Sequence, residues 1–162
     1  MEDRYLFKAK TAQIVGIYNN GLEDGVWVHG SLRCDVGKYT IFQFETERAD
    51  YVEYEIDPST ICQCTGLKDK NGKLIWENDI VKKGFYIDYD SVYQEEHVTS
   101  VISKEYVGTV KFECFAWIVE TFNDQLKCIL PIYELSEHSE DIKYFEIVGN
   151  IFDNPKLLES EG

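Results

Sequence analysis

The chain is poor in alanine and carries a single methionine, so few of the strongest helix formers are available to it. No apolar run approaches the roughly 20 residues that a helix needs to cross a bilayer. The start, Met1-Glu2-Asp3-Arg4, has neither a targeting n-region nor a lipidation motif, so no membrane partner is expected. Positive charge is also in deficit: 16 Lys and Arg stand against 30 Asp and Glu, a formal net charge of −14. Such a surface is soluble and on average repels nucleic-acid backbones and anionic membranes. Five cysteines make an odd set without disulfide spacing, and with no signal peptide this points to reduced thiols in a cytosol.

The chemistry-bearing patterns are thin as well. His29, His97 and His138 lie far apart, with neither a His-x-His nor a His-Glu-x-x-His spacing. Glu95-Glu96-His97 reads as a solvated charged loop, and Asp88-x-Asp90 lacks the other ligand positions of a calcium loop. Ser59 and Thr60 have no nucleophile-elbow setting, and Gly66 and Gly72 punctuate turns instead of cradling phosphate. Cys62-Gln63-Cys64 is the most tempting pair for zinc or redox work. On a strand, however, i and i+2 side chains share a face with Cα atoms roughly 6.5 Å apart, without the knuckle turn of a two-residue spacing. Buried, apolar-like thiols are the expectation there. No catalytic residue, metal site or cofactor is assigned, and no enzymatic activity is expected.

What the sequence does hold is aromatic and β-branched. Eleven Tyr, nine Phe and three Trp, set beside many Val and Ile, favour strands, and 44% apolar content supports a folded chain. At 162 residues there is material for one domain or two small ones, and the fold class is mainly β. Residues 5–18 read as one or two strands, and 26–32 as another. Tyr39–Phe44 and Tyr51–Ile56 follow, with Val52, Tyr54 and Ile56 on one face and Tyr51, Glu53 and Glu55 on the other. Asp57-Pro58-Ser59-Thr60 is a turn that marks a boundary between two β units. From 88 to 105 the polar content rises, as in an excursion or long hairpin tip. Val107–Phe112, Ala116–Glu120, Leu126–Ile132 and Tyr144–Ile151 read as further strands, and Ser136–Asp141 as a polar loop or a short helical turn. Leu157-Leu158 sits in one capping turn before an acidic tail.

The stretch Cys64–Val81 organises the rest. It reads as a β-hairpin whose Asn71-Gly72 suits a type I′ turn, followed by Leu74-Ile75-Trp76 and a tight acidic turn into Ile80-Val81. Lys68, Lys70, Lys73, Lys82 and Lys83 outnumber the acids between 68 and 83, so the hairpin is locally basic in an acidic protein. Two readings of Trp76 stand side by side. One is a core or subunit-contact aromatic, the other an exposed aromatic suited to stacking on a nucleobase.

Thr65-Gly66-Leu67-Lys68-Asp69-Lys70-Asn71-Gly72 with Ile75-Trp76-Glu77-Asn78-Asp79-Ile80-Val81 resembles the YopX-like proteins of bacteriophages and prophages of Gram-positive bacteria. Gly108-Thr109-Val110-Lys111-Phe112 and the terminal stretch from Phe145 to Leu158 agree, and Phe7-Lys8-Ala9 is similar to a degraded form of the family's opening. Asn78 stands where the family commonly has Gly in its Glu-Gly-Asp-Ile-Val turn, a position that Asn tolerates better than other non-glycines. The resemblance implies a mainly β protein with an SH3-like barrel in the C-terminal part, and it carries over no catalytic residues. The resulting expectation is an N-terminal β unit over 1–57 and an SH3-like barrel over 58–162, with a long insertion near 88–105 and a C-terminal tail.

Function follows as an expectation. The chain reads as a non-enzymatic phage or prophage accessory protein in the cytoplasm of a bacterial host, acting by protein binding as a homo-oligomer or on a host or phage protein. Two alternatives compete: nucleic-acid contact through the hairpin 68–83, and an acidic decoy of a DNA-binding protein. The expected contact residues are Lys68, Lys70, Lys73, Trp76, Lys82 and Lys83.

Overall fold

The computed structural model describes residues 6–12, 22–45, 50–87, 102–123, 126–131 and 145–159. The chain divides into two compact units, one of 1–67 with 74–77 and the other of 68–73 with 78–162. Among the described residues there is no α-helix.

The first unit is built on a six-stranded sheet. Its strands are β1 (Phe7–Lys10), β2 (Trp27–Asp35), β3 (Lys38–Glu45), β4 (Asp50–Glu55), β5 (Cys62–Lys68) and β6 (Leu74–Trp76). They lie in the order β4-β3-β2-β1-β5-β6. The period-2 alternation decides which face is buried. Ala9, Val28, Ile41, Val52, Tyr54 and Ile56 form one buried cluster, flanked by Phe7, Leu22, Leu32, Tyr39 and Ile61. The face assigned to Val52, Tyr54 and Ile56 from sequence is the core face. Gly30 is needed where β2 leaves β1 for β3, because a Cβ there would stand 2.0 Å from the Phe42 carbonyl oxygen. An isolated bridge between Thr11 and Ile56 ties the end of β1 to the end of β4. A 3₁₀ turn over Pro58–Thr60 then leads into β5; Asp57 caps it by accepting from the Ser59 backbone N–H at 2.9 Å.

The second unit holds a five-stranded antiparallel sheet of β7 (Asp79–Ile87), β8 (Ile102–Glu113), β9 (Ala116–Asn123), β10 (Leu126–Pro131) and β11 (Phe145–Asn150). Its order is β10-β9-β8-β7-β11. Among the described side chains, Ile80, Val81, Val110, Ile118, Val119 and Phe145 are its buried apolar residues. Of the stretch 88–105, residues 102–105 belong to β8, and 88–101 lie outside the described residues, as does the loop at 136–141. A register shift between Ile147 and Gly149 bends β11 toward a turn, where Asn150 Oδ1 accepts from the backbone N–H groups of Phe152 and Asp153. The predicted capping turn is a 3₁₀ turn over Pro155–Leu158.

The closed barrel is a point of correction: among the described strands the second sheet is open. β10 and β11 occupy opposite edges, and the outer edge of β11 is satisfied in another way. Lys70 N–H donates to the Phe145 carbonyl at 2.9 Å, and Ile147 N–H donates to the Asp69 carboxylate at 3.2 Å. A loop tip thus occupies edge groups that a closing strand would need.

Candidate functional site

The expected site centres on the turn after β5, and its geometry starts from Asp69. This side chain is 6% exposed, yet it accepts from the backbone N–H groups of Asn71 and Lys73, both at 2.9 Å, and from Ile147. The backbone closes around it: Gly72 N–H donates to the Asp69 carbonyl at 2.9 Å, and Asp69 N–H donates to the Lys73 carbonyl at 2.8 Å. Gly72 has φ 79°, whereas Asn71 is not among the residues with positive φ. The type I′ turn expected at Asn71-Gly72 is therefore a type I turn closed by a left-handed glycine. Burial pushes the Asp69 carboxyl up, but the bonds it accepts from Lys73, Ile147 and Asn71 outweigh that and hold it below its ordinary value.

The lysines distribute unevenly around this turn. Lys68, Lys70 and Lys73 are exposed. Lys70 Nζ sits 2.6 Å from the Glu146 carboxylate, and Glu146 is also the cross-strand partner of Lys82 in the β7–β11 ladder. Lys82 is half-buried, and the side chain of Lys83 lies outside the described ones. A β11 acid therefore answers part of the local positive charge. Trp76 is only 9% exposed, so little of its ring is left at the surface for a partner to meet. Its ring lies 5.5 Å from Lys8 Nζ and 6.4 Å, edge-on, from His29.

Cys62 and Cys64 are buried, and the Cys62 thiol approaches the Thr60 carbonyl at 3.3 Å, as expected of apolar-like strand cysteines. Cys34 and Cys114 are free and exposed. Among the described residues no group of His, Cys, Asp and Glu has the arrangement to hold a metal ion, and no helix is long and apolar enough to cross a membrane. His97 and His138 lie outside the described residues.

Two surfaces escape a reading of the sequence. At the β8–β9 turn, Cys114 and Phe115 both take positive φ, 52° and 66°, and Phe115 is 98% exposed. Phe112 beside it is 50% exposed and tilts against Trp117 at 5.0 Å between centroids. In the first sheet, Lys8 Nζ stands 5.1 Å from the Trp27 ring and Lys10 Nζ stands 5.5 Å from the same ring. The available signal for the second surface is the alternation Phe7/Ala9 against Lys8/Lys10, which assigns the lysines to the face opposite the core.

These features define a two-sheet antiparallel β protein. A family model described as YopX protein matches residues 23–159, and the chain belongs to that family. No curated protein matches it.

Proposed function

We propose that this chain is a phage or prophage accessory protein that works by binding protein rather than by catalysis, and that its first partner is another copy of itself. The observation that carries the reading is the β8–β9 turn. A two-residue hairpin loop with both φ values positive favours Asn, Asp and Gly. Left-handed backbone costs an ordinary residue about 1–2 kcal/mol. Placing Cys114 and Phe115 there, with the Phe115 ring in water, has no evident benefit to the fold. Sequence choices that oppose local structure without compensation point to function. Phe112 extends the apolar surface beside the tip, as a contact patch requires.

The connectivity supports an SH3-like scaffold under this patch. β7 to β10 form a meander, and β11 returns alongside β7, which is the strand order of that fold. Family membership supports the phage setting. The exposed free thiols of Cys34 and Cys114 suit a reducing cytoplasm. The lysine hairpin is the weaker surface, since Lys70 is already engaged by Glu146.

Sedimentation velocity over a rising concentration series tests the proposal. Wild-type protein is expected to self-associate, and Phe115→Asp to sediment as a monomer while keeping its fold. A wild type that stays monomeric at high concentration, or association unchanged by Phe115→Asp, overturns it.

A further inference from the structure

We infer that the outer face of the first sheet is a platform for single-stranded nucleic acid, with Trp27 as its stacking residue and Lys8, Lys10 and Arg33 as its phosphate contacts. This goes beyond the protein-binding reading by naming a second partner class, and it uses a different unit from the β8–β9 tip.

Register decides which side chains face outward. In β1, Phe7 and Ala9 face the core, so Lys8 and Lys10 face outward. Their cross-strand partners in β2 are His29 and Trp27. Val28 and Leu32 are the core residues of β2, so Trp27, His29, Ser31 and Arg33 share the outward face. Ser31 pairs with Phe42 of β3, and the Arg33 guanidinium lies 5.8 Å from the Phe42 ring. Lys38 follows the same alternation at the start of β3. The described bases of the first unit, Lys8, Lys10, Arg33 and Lys38, thus all fall on one face of its sheet, although the protein as a whole carries −14.

Along β1 and the first half of β2 this face presents Lys8, Lys10, Trp27 and His29, while Cys62, across from Lys8 in β5, is buried. Described acids of the same face include Asp35 beside Arg33 at 3.4 Å, Glu55 beside Lys38 at 3.4 Å, and Glu53 in β4. Trp27 is half-buried and His29 exposed, so an approaching base can reach both. At about 6.6 Å for every two residues, Trp27 to Arg33 spans roughly 20 Å, enough for several nucleotides of an extended strand. Aromatic rings interleaved with cations on a sheet face give the two attractions a single strand offers: stacking with any base, and charge contact with the backbone. A double helix keeps its bases stacked and paired, so it offers none to the Trp27 ring. The amines now over the Trp27 indole are long enough to turn toward phosphates while a base takes their place.

Fluorescence anisotropy with labelled oligothymidine and oligouridine of about 20 nucleotides tests this at low salt, with a duplex of the same length as comparison. Binding of either single strand, tighter than the duplex and weakening with salt, is expected; the tighter of the two arms distinguishes DNA from RNA as the source. Trp27→Ala is expected to weaken binding about tenfold, and Trp27→Phe to restore most of it. Lys8→Ala with Lys10→Ala is expected to make the salt slope shallower by about 1.4. Lys68→Ala with Lys73→Ala is expected to leave the affinity within about twofold, because those lysines flank the Asp69 turn and lie outside β1–β3. No single-strand binding at low salt overturns the inference. So does binding lost in the Lys68/Lys73 variant but kept by both Trp27→Ala and the Lys8/Lys10 pair. None of these outcomes bears on the sedimentation of Phe115→Asp, so the two proposals fail separately.

Discussion

Two turns of the second unit solve the same geometric task in opposite ways. The Asp69–Lys73 turn places its one left-handed residue on glycine and satisfies its backbone through a buried carboxylate. The Cys114-Phe115 turn places two left-handed residues on ordinary side chains and leaves a phenyl ring in solvent. In the first turn every unusual residue has a structural partner. In the second the strain and the exposure have no counterpart in the fold, which is why the binding reading rests there. The contrast teaches that turn chemistry separates fold from function only when the side chains around the turn are known.

The strongest way to break this comparison is to remove Asp69. Asp69→Ala leaves the Asn71, Lys73 and Ile147 N–H groups without their acceptor and removes one of the tip's ties to β11. Hydrogen bonds to a charged group contribute about 1.5–3 kcal/mol each and are not additive. A loss of about 3 kcal/mol in urea-unfolding free energy is expected, with Asp69→Asn falling between the variant and wild type. A change below about 0.5 kcal/mol would mean that the carboxylate is dispensable to the turn.

The same side chain sets a pH dependence. Its folded value is held below the ordinary one, so the stability it contributes is present above the unfolded carboxyl value of about 3.9. That stability is lost as pH falls through the lower, folded value. Asp57 is shifted in the same direction by the Ser59 hydroxyl and then by the Ser59 N–H, and as a solvent-facing cap it contributes less. Unfolding free energies measured from pH 7 down to 3 are expected to decline at the acid end, and to decline less steeply in Asp69→Asn.

The opposite turn is expected to respond with the opposite sign. Cys114→Asn with Phe115→Gly supplies the residues that a type I′ loop favours, and about 1–2 kcal/mol of added stability is expected. Association in the ultracentrifuge should weaken in the same variant. Stability gained with association unchanged would sever the strain from the binding role.

How much of this is legible in the sequence depends on whether the deciding contact is local. The β4 face of Val52, Tyr54 and Ile56 can be read because strand alternation needs only neighbouring residues. Asn78, at φ 64°, occupies the left-handed position inferred for it, again from its own turn. The loop at Asn71-Gly72 misleads because the dipeptide fits both a two-residue I′ loop and a type I turn ending in glycine. The choice is made by the Asp69 side chain and by the register of the flanking strands. Trp76 is ambiguous for a different reason: Ile75 and Trp76 are both buried, so alternation along β6 has no exposed face to reveal. The lysines look like an open basic patch because Glu146, which answers Lys70, lies far along the chain on β11. The grouping of Lys8 and Lys10 about the Trp27 ring draws no notice in the sequence because Trp27, which pairs across from Lys10, is distant along the chain.

The smallest predicted effects test whether left-handed geometry alone carries a cost. Gly72 has φ 79°, and nothing lies within 4 Å of the place where a Cβ would stand, so Gly72→Ala meets backbone strain and no steric clash. About 1 kcal/mol of destabilisation is expected. Asn78→Gly makes the reverse change at φ 64°, relieving a milder strain while adding freedom to the unfolded chain. The net is expected to lie within about 0.5 kcal/mol of zero, read from the urea midpoint at constant slope. If Gly72→Ala were as mild as Asn78→Gly, left-handed backbone would be cheap in this sheet. The exposed pair Cys114-Phe115 would then need no functional explanation.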